Sequence, residues 1–234
     1  MKRVIWMLAG VLVGQEPPWV DPGGAGKPPA DAIVLFDGKD LSHWVNRDGE
    51  PINWEVRDGV MVSRTNLDRA GRNHAYSREK FSAAQVHVEF NIPLMAQATG
   101  QARGNSGVYL MGRYEIQILD SYQNSTYANG MGAALYGQRI PLVNASRLPD
   151  QWQTYDIIFH PPKCHPDGYF GEPGRLTLLH NGVVVHAHVP VQGSSARRGG
   201  CLDQPGPLML QDHHLPEAKE TPMRFRNIWV RELR

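Results

Sequence analysis

The sequence has almost no net charge and no apolar run long enough to cross a bilayer. Its 24 Lys and Arg residues are balanced by 23 Asp and Glu residues, which gives a formal net charge of +1. This balance argues against a broad basic surface for nucleic acid or for an acidic membrane. A transmembrane helix needs about 20 apolar residues. We therefore expect no nucleic-acid partner and no stable membrane insertion of the mature chain.

Several well-known catalytic sequence patterns are also missing. The chain contains no Walker sequence, no GxSxG nucleophile elbow and no HExxH helix. Its two cysteines have no nearby histidine at a zinc-site spacing. Phosphate cradling, serine hydrolysis and zincin chemistry therefore lose support as functions of this chain.

Glycine and proline, by contrast, are abundant, with 24 and 18 residues. This composition disfavours long helices and favours short strands joined by turns. Hydrophobic residues make up 41% of the chain, which is enough for a sizeable core. A length of 234 residues suits one large domain or at most two small ones.

The amino terminus has the pattern of a secretory signal peptide. Lys2 and Arg3 precede an apolar run over residues 5–13, and the small Gly14 follows it. We predict a signal peptide over residues 1–14 and an exported protein, periplasmic or extracellular, with a buried amino-terminal strand as the alternative. Residues 15–31 are rich in Pro and Gly without periodicity, which predicts a flexible leader ahead of a domain over residues 32–234.

The two cysteines, Cys164 and Cys201, both lie in stretches rich in Pro and Gly. In an exported protein they can form one disulfide that connects two loops. Two free thiols are the alternative, and the sequence does not decide between them.

Alternating hydrophobicity predicts about eleven strands and no convincing helix. Asp58-Gly59 and Asn181-Gly182 are two-residue hairpin signals between such strands, and Gly112-Arg113 predicts a further hairpin. The pattern predicts a single-domain all-β sandwich or barrel. The predicted strands cover residues 33–36, 54–57, 60–63, 85–92, 107–111, 114–119, 152–160, 176–180, 183–189, 208–211 and 225–232.

The most informative stretch runs from residue 104 to residue 122. The period of a strand puts Glu115 and Gln117 on one face and Ile116 and Ile118 on the other, apolar face. An exposed sheet surface is one interpretation of the polar face. In a sandwich with one concave face, the same residues form the floor of a cleft.

A second stretch offers candidates for acid–base chemistry and ligand binding. Gln211 and His213 share a face if their strand continues that far, and a histidine near neutrality suits a general acid or base. Arg226 can hold an anion or form a structural ion pair. Tyr109 and Tyr136 can stack on a sugar or pack in the core.

These pieces occur in an order that resembles a known bacterial family. The matching segments are FDGKDL at 36–41, WEVRDG at 54–59, GNSGVYL at 104–110, YEIQILDSY at 114–122, DQWQTYD at 150–156, LLHNG at 178–182, LQDH at 210–213 and RFRNIWVREL at 224–233. Together they resemble the 3-keto-disaccharide hydrolases, described as 3-keto-glucoside 1,2-lyases and 3-keto-2-hydroxy-glucal hydratases. The resemblance implies a concanavalin-A-like jelly-roll sandwich.

The resemblance also implies an activity. The substrate would be a 3-keto-glucoside or related carbohydrate, cleaved by C2 deprotonation, β-elimination at C1 and hydration. Glu115 and His213 are then the predicted catalytic residues, and both are candidate ligands of a divalent metal that would polarise the ketone. The predicted substrate-binding residues are Asn105, Tyr109, Gln117, Asp120, Tyr136, Gln211 and Arg226.

Two other functions stay open at this point. The same sandwich serves non-catalytic carbohydrate-binding modules, which would not turn over a 3-keto-glycoside. A conventional glycosidase needs two carboxylates roughly 5–10 Å apart. Glu89 and Asp120 are the residues that would have to supply the second carboxylate beside Glu115.

Overall fold

A computed structural model describes residues 16–24, 26–64, 73–193, 200–201, 203–213 and 221–233. The predicted signal peptide lies outside these residues. The described chain forms strands and two short 3₁₀ turns, at Gly100–Ala102 and Ala128–Gly130. The strands are β1 (Ile33–Phe36), β2 (Trp44–Val45), β3 (Glu55–Arg57), β4 (Val60–Val62), β5 (Ala75–Phe81), β6 (Ala84–Asn91), β7 (Ser106–Leu110), β8 (Tyr114–Ile118), β9 (Trp152–His160), β10 (Lys163–Cys164), β11 (Phe170–Glu172), β12 (Gly174–His180), β13 (Val183–Val191), β14 (Gly206–Leu210) and β15 (Arg224–Glu232).

The strands form two large antiparallel sheets and one small hairpin. The larger sheet has eight strands in the order β13-β12-β9-β6-β15-β4-β3, with β1 also paired to β15. The smaller sheet has five strands in the order β2-β5-β14-β7-β8, and β10 pairs with β11 alone. Strands β14 and β15 follow each other in the chain but belong to different sheets. The prediction of a single-domain all-β sandwich is confirmed.

The core lies between the two sheets, because each sheet turns its apolar side chains inward. In β6, Val86, Val88 and Phe90 are buried and alternate with the polar His87 and Glu89. Burying a side chain of this size stabilises the fold by about 2 kcal/mol. Strand-period alternation therefore determines which face of each sheet carries the polar residues.

Both strong hairpin signals are confirmed. Asp58 and Gly59 have φ of 52° and 74°, and Asn181 and Gly182 have φ of 53° and 78°. Positive φ at both central residues is the requirement of a type I′ turn. The hairpin between β7 and β8 is also present, with Arg113 N–H donating to the Leu110 carbonyl across 3.0 Å.

The strand prediction misses β5, which begins inside a stretch that looks irregular in sequence. The inward positions at its start hold Ala75 and Ser77, which are buried but are not large hydrophobics. The alternation of large apolar residues that predicts a strand is therefore absent there. The short strands β2, β10 and β11 are missed as well.

The structure contains the Cys164–Cys201 disulfide, with Cα atoms 5.4 Å apart and a sequence separation of 37. The bond joins the β10–β11 hairpin to the segment that leads into β14. Two backbone hydrogen bonds accompany it, from Cys201 N–H to the Gly168 carbonyl and from Cys164 N–H to Asp203 Oδ2. The disulfide alternative is therefore the one that this structure supports.

The described part of the predicted leader contacts the domain. Asn227 Nδ2 donates a hydrogen bond to the Gly26 carbonyl across 3.2 Å, and Arg231 Nε contacts both Asp31 oxygens at 2.8 Å. The flexibility predicted for this segment stays a prediction. Nowhere in the described residues is there a helix with the length and apolar character needed to span a membrane.

Candidate active site

One row of aligned residues crosses the outer face of the five-stranded sheet and ends at Glu115. Val45 pairs with Tyr76, Tyr76 with Met209, Met209 with Tyr109, and Tyr109 with Glu115. Residues that are directly paired in this way project from the same face of a sheet. The row therefore brings side chains from all five strands to one surface.

The parity predicted for β8 is confirmed by the burial of its neighbours. Ile116 and Ile118 are fully buried between the sheets, which leaves Glu115 and Gln117 on the outer face. A slip of one residue would exchange these two sets.

Glu115 is nevertheless more buried than a residue on an open cleft floor, with 5% of its surface exposed. The cause is an irregular segment that pairs along the free edge of β8. Tyr136 N–H donates to the Glu115 carbonyl, and Gln117 N–H donates to the Ala134 carbonyl, both across 3.0 Å. The exposed sheet surface is therefore the wrong interpretation at this position, because residues 133–136 extend the sheet beside Glu115.

Burial determines the chemistry of the Glu115 carboxyl. It raises the pKa of Glu115 to about 7, and a hydrogen bond with the Tyr109 hydroxyl partly offsets this rise. Gly107 gives both side chains their space, because a Cβ there would lie 2.8 Å from Glu115 Oε1 and 2.9 Å from a Tyr109 ring carbon. Near neutral pH this carboxyl is therefore divided between its acid and base forms.

Tyr109 connects Glu115 to Gln211. Gln211 N–H donates to the Gly107 carbonyl, which continues the β14–β7 pairing by one residue. The Gln211 Nε2 amide then donates to the Tyr109 hydroxyl oxygen across 3.1 Å. Burial and the Glu115 charge raise the pKa of Tyr109 well above its usual range, so the hydroxyl stays protonated and donates to the carboxylate.

His213 lies two residues beyond Gln211, at the carboxyl end of β14, and close to His74. The Nδ1 atom of His74 accepts a hydrogen bond from Asp212 N–H across 3.1 Å. Burial, followed by the charges of His213 and Arg47, lowers the pKa of His74 to about 4. His74 is therefore neutral at physiological pH. His74 was not among the predicted site residues, because the strand that follows it, β5, was itself missed.

Asn105 and Gln117 are held in place by one side chain, that of Gln101. Gln101 Oε1 accepts from Gln117 Nε2 at 3.0 Å and from Asn105 Nδ2 at 3.3 Å. Gln117 Nε2 also contacts the Gly130 carbonyl at 3.2 Å. The amide oxygens of Asn105 and Gln117 are buried and accept no hydrogen bond from the described residues. Both amides therefore have fixed orientations, and Gln117 lies two residues along β8 from Glu115.

Tyr136 continues the Glu115 row by one further position, because Ile116 pairs with Leu135 next to it. Its hydroxyl lies 2.5 Å from the hydroxyl of Tyr127. The two rings meet nearly edge to face, with centroids 6.3 Å apart. Tyr136 was a predicted site residue, whereas Tyr127 was not, because it lies in a segment without periodicity.

Asp120 lies at the end of β8 but is occupied by structural contacts. Its Oδ2 atom forms an ion pair with Arg103 Nε at 2.8 Å, and its Oδ1 atom accepts a hydrogen bond from Tyr122 N–H. Only 1% of its surface is exposed. In this structure Asp120 therefore fixes the turn after β8.

Arg226 is not brought together with Glu115, because β15 belongs to the eight-stranded sheet. It projects from the outer face of that sheet, where its Nε atom contacts Glu89 Oε2 at 2.6 Å. Its guanidinium also lies 4.0 Å from the centre of the Trp152 ring. The proximity of residues 210–213 and 224–226 in sequence does not place them on one surface.

No complete ligand set for the predicted divalent metal is present among the described residues. Across the described ranges, no three His, Cys, Asp or Glu side chains cluster closely enough to hold a metal ion. The metal at Glu115 and His213 stays a prediction, and no step below depends on it.

The comparison with known families covers almost all of the described chain. Residues 31–231 match the model of the 3-keto-alpha-glucoside-1,2-lyase-like domain. The chain belongs to this family. The family acts on carbohydrates, and the two antiparallel sheets described above agree with the sandwich expected for it. No curated protein matches the chain.

Solved structures give the same fold. A protein from Parabacteroides distasonis, classed provisionally as a glycosyl hydrolase, is 39% identical, with a TM-score of 0.84 over 96% of this chain and 95% of that chain. A second protein from this organism, classed in the same way, is 18% identical. Its TM-score is 0.61 over 87% of this chain and 94% of that chain. The second likeness shows the fold alone.

Proposed function

We propose that the protein cleaves 3-keto-glucosides by elimination followed by hydration. The ketone at C3 makes the C2 hydrogen acidic, because loss of that proton gives an enolate. When the enolate collapses, the C3 carbonyl re-forms, a C1–C2 double bond forms and the C1–O bond breaks. Water then adds its oxygen to C1 and a proton returns to C2, which gives 3-keto-glucose and the free leaving group.

The observation that carries the proposal is the state of the Glu115 carboxyl. A general base works best when its pKa lies near the working pH, and burial raises the pKa of Glu115 to about 7. The Tyr109 hydroxyl stabilises the carboxylate form and fixes its orientation. We therefore assign the removal of the C2 proton to Glu115.

His213 is the proposed acid for the leaving group. It lies at the carboxyl end of β14, beyond the Gln211 that hydrogen-bonds with Tyr109. An imidazole can give a proton to the departing oxygen near neutral pH. Asn105, Gln117 and Gln211 supply fixed amide groups for the sugar hydroxyls, with Tyr109 and Tyr136 beside them.

Two observations disfavour the conventional two-carboxylate mechanism. Glu89 lies on the outer face of the other sheet, where Arg226 binds it. Asp120 is buried in its ion pair with Arg103. Neither residue is available as the second carboxylate beside Glu115, so elimination is the better candidate.

Isotope incorporation tests the reaction. Purified protein is incubated in D₂O with a 3-keto aryl glucoside, and the 3-keto-glucose released is analysed by mass spectrometry and NMR. Elimination and hydration place one deuterium at C2 of each product molecule. Direct hydrolysis leaves the C2 hydrogen in place and would contradict the proposal, and absence of turnover would favour a binding module.

Pre-formed 3-keto-glucose incubated without protein gives the background exchange at C2. A chelator arm, run in parallel, tests the predicted metal.

A second comparison separates the two catalytic roles. An acidic phenol leaves without protonation, so it should partly rescue His213→Ala but not Glu115→Gln. Equal rescue of both variants would contradict the assignment.

A further inference from the structure

Tyr127 is a half-exposed tyrosine that the proposed reaction does not use. It lies in the segment between β8 and β9, just before the 3₁₀ turn Ala128–Gly130, and 48% of its surface is exposed. An exposed tyrosine alone indicates nothing, because surface aromatics are common. What distinguishes this residue is how firmly its ring is held.

Two contacts fix the Tyr127 ring. Its hydroxyl hydrogen-bonds with the Tyr136 hydroxyl at 2.5 Å. Its edge lies against Gly130, where a Cβ would come within 1.9 Å of a Tyr127 ring carbon. Only glycine at this position allows the ring to lie there. The chain therefore holds a large apolar surface in one orientation while leaving half of it open to solvent.

Gly130 also connects this ring to the candidate site. Its carbonyl accepts hydrogen bonds from Gln117 Nε2 at 3.2 Å and from Gln101 Nε2 at 2.9 Å. The glycine that supports Tyr127 therefore also orients the Gln117 amide. Burial, the hydrogen bond with Tyr136 and the charges of Tyr136 and Glu115 raise the pKa of Tyr127 to about 12, which keeps its hydroxyl protonated.

Tyr127 adjoins Tyr136, the residue that follows Glu115 in the row. Adjacent strands lie about 4.8 Å apart, and Tyr136 is one strand position beyond Glu115. The Tyr127 ring lies 6.3 Å from that of Tyr136. A sugar that extends from Glu115 past Tyr136 therefore brings its next ring within reach of Tyr127.

We propose that the Tyr127 ring, held by Tyr136 and Gly130, is the stacking platform for the sugar that leaves. This inference rests on the proposed function, because it takes Glu115 as the group beside C2. The platform fits a pyranose, since the apolar face of a sugar packs on an aromatic ring. It makes Tyr127 a specificity residue that selects disaccharides over glucosides with small leaving groups.

Two substrates and three variants test the proposal. Kinetics are measured with two substrates. The leaving group of 3-keto-trehalose is a sugar, whereas that of methyl 3-keto-glucoside is methanol. For Tyr127→Ala we expect kcat/KM to fall roughly 3- to 10-fold on the disaccharide, mainly through KM, and less than about twofold on the methyl glucoside. Tyr127→Phe keeps the ring and should retain most of the disaccharide activity. Tyr169→Ala removes a more exposed tyrosine elsewhere and should change neither substrate.

Equal loss on both substrates, or no loss on the disaccharide, would overturn the platform. If the wild-type protein turned over neither substrate, the proposed reaction would have failed by itself. Calorimetric binding of 3-keto-trehalose would still decide the stacking. Weaker binding by Tyr127→Ala than by wild type supports it, and unchanged binding overturns it.

Discussion

The outer faces of the two sheets each carry a glutamate in the middle of a strand, and their surroundings differ. Glu115 on the five-stranded sheet hydrogen-bonds with the neutral Tyr109 hydroxyl, and burial raises its pKa to about 7. Glu89 on the eight-stranded sheet accepts hydrogen bonds from Arg226 and from Asn227 Nδ2. Burial alone would raise the pKa of Glu89, but these two partners and the nearby charges lower it below its ordinary value.

Two histidines show the same contrast: one contacts a carboxylate, and burial shifts the pKa of the other. His87 on the eight-stranded sheet lies 2.6 Å from Asp156 Oδ1 and stacks on Trp229. His74 on the five-stranded sheet accepts a backbone N–H, and burial lowers its pKa to about 4. Charged partners on one face satisfy its ionisable groups, whereas burial on the other face shifts the pKa values of such groups. A pKa shifted by desolvation in a cleft is one mark of a functional site.

Comparing the turnover of Glu115→Gln with that of Glu89→Gln is the sharpest test of this contrast between the two faces. Loss of a positioned base lowers turnover by roughly 10²- to 10⁴-fold, so Glu115→Gln should lose at least that lower factor on a 3-keto aryl glucoside. Glu89→Gln should stay within about threefold of wild type, because Glu89 faces away from the site. Similar losses in the two variants would remove the distinction between the faces.

The disulfide should matter for stability and not for catalysis. Replacing Cys164 and Cys201 by serine should lower the free energy of unfolding by about 4 kcal/mol, as expected for a closed loop of this length. The bond is near the start of β14, and Gln211 is beyond its end, so kcat at 25 °C should be unchanged. Denaturant unfolding and kinetics of the same sample measure both quantities. A large loss of kcat in a folded variant would mean that the hairpin supports the site.

Glu115 should also make stability depend on pH. Its folded pKa of about 7 lies above the ordinary 4.5, so its contribution is full below pH 4.5. That contribution is lost as pH rises to about 7, because the unfolded state ionises first. The loss is at most about 3 kcal/mol. Glu115→Gln should therefore gain stability relative to wild type at pH 8 but not at pH 4, and a difference that does not change with pH would contradict this.

The smallest effect is expected at Arg226. Its side chain is about half exposed and bonds with Glu89 above the Trp152 ring. Exposed pairs and cation–π contacts contribute about 1 kcal/mol at most. Arg226→Met should therefore lower the unfolding free energy by about that amount and leave activity unchanged. A substantial loss of activity would contradict this and support the predicted substrate-binding role of Arg226.

The sequence predicts those parts of the molecule that depend on local rules. Strand alternation gives the faces of Glu115 and Ile116, and turn chemistry gives the hairpins at Asp58-Gly59 and Asn181-Gly182. The location of Arg226 on the other sheet and the burial of Glu115 were not predicted, because both depend on long-range strand pairing. Strands β14 and β15 separate into different sheets, and residues 133–136 pair with the edge of β8. No local pattern records either event, and the same is true of the Arg103 partner that buries Asp120.

The pH dependence of kcat/KM tests the central claim most directly, because it reports the pKa of the essential base in the free enzyme. With Glu115 as the base, activity on a 3-keto aryl glucoside whose acidic phenol leaves without protonation should rise with pH and level off with an apparent pKa of about 7. Tyr109→Phe removes the hydrogen bond that lowers this pKa, so its rise should move to higher pH. A wild-type rise centred near pH 4.5, the ordinary value for glutamate, would contradict the account.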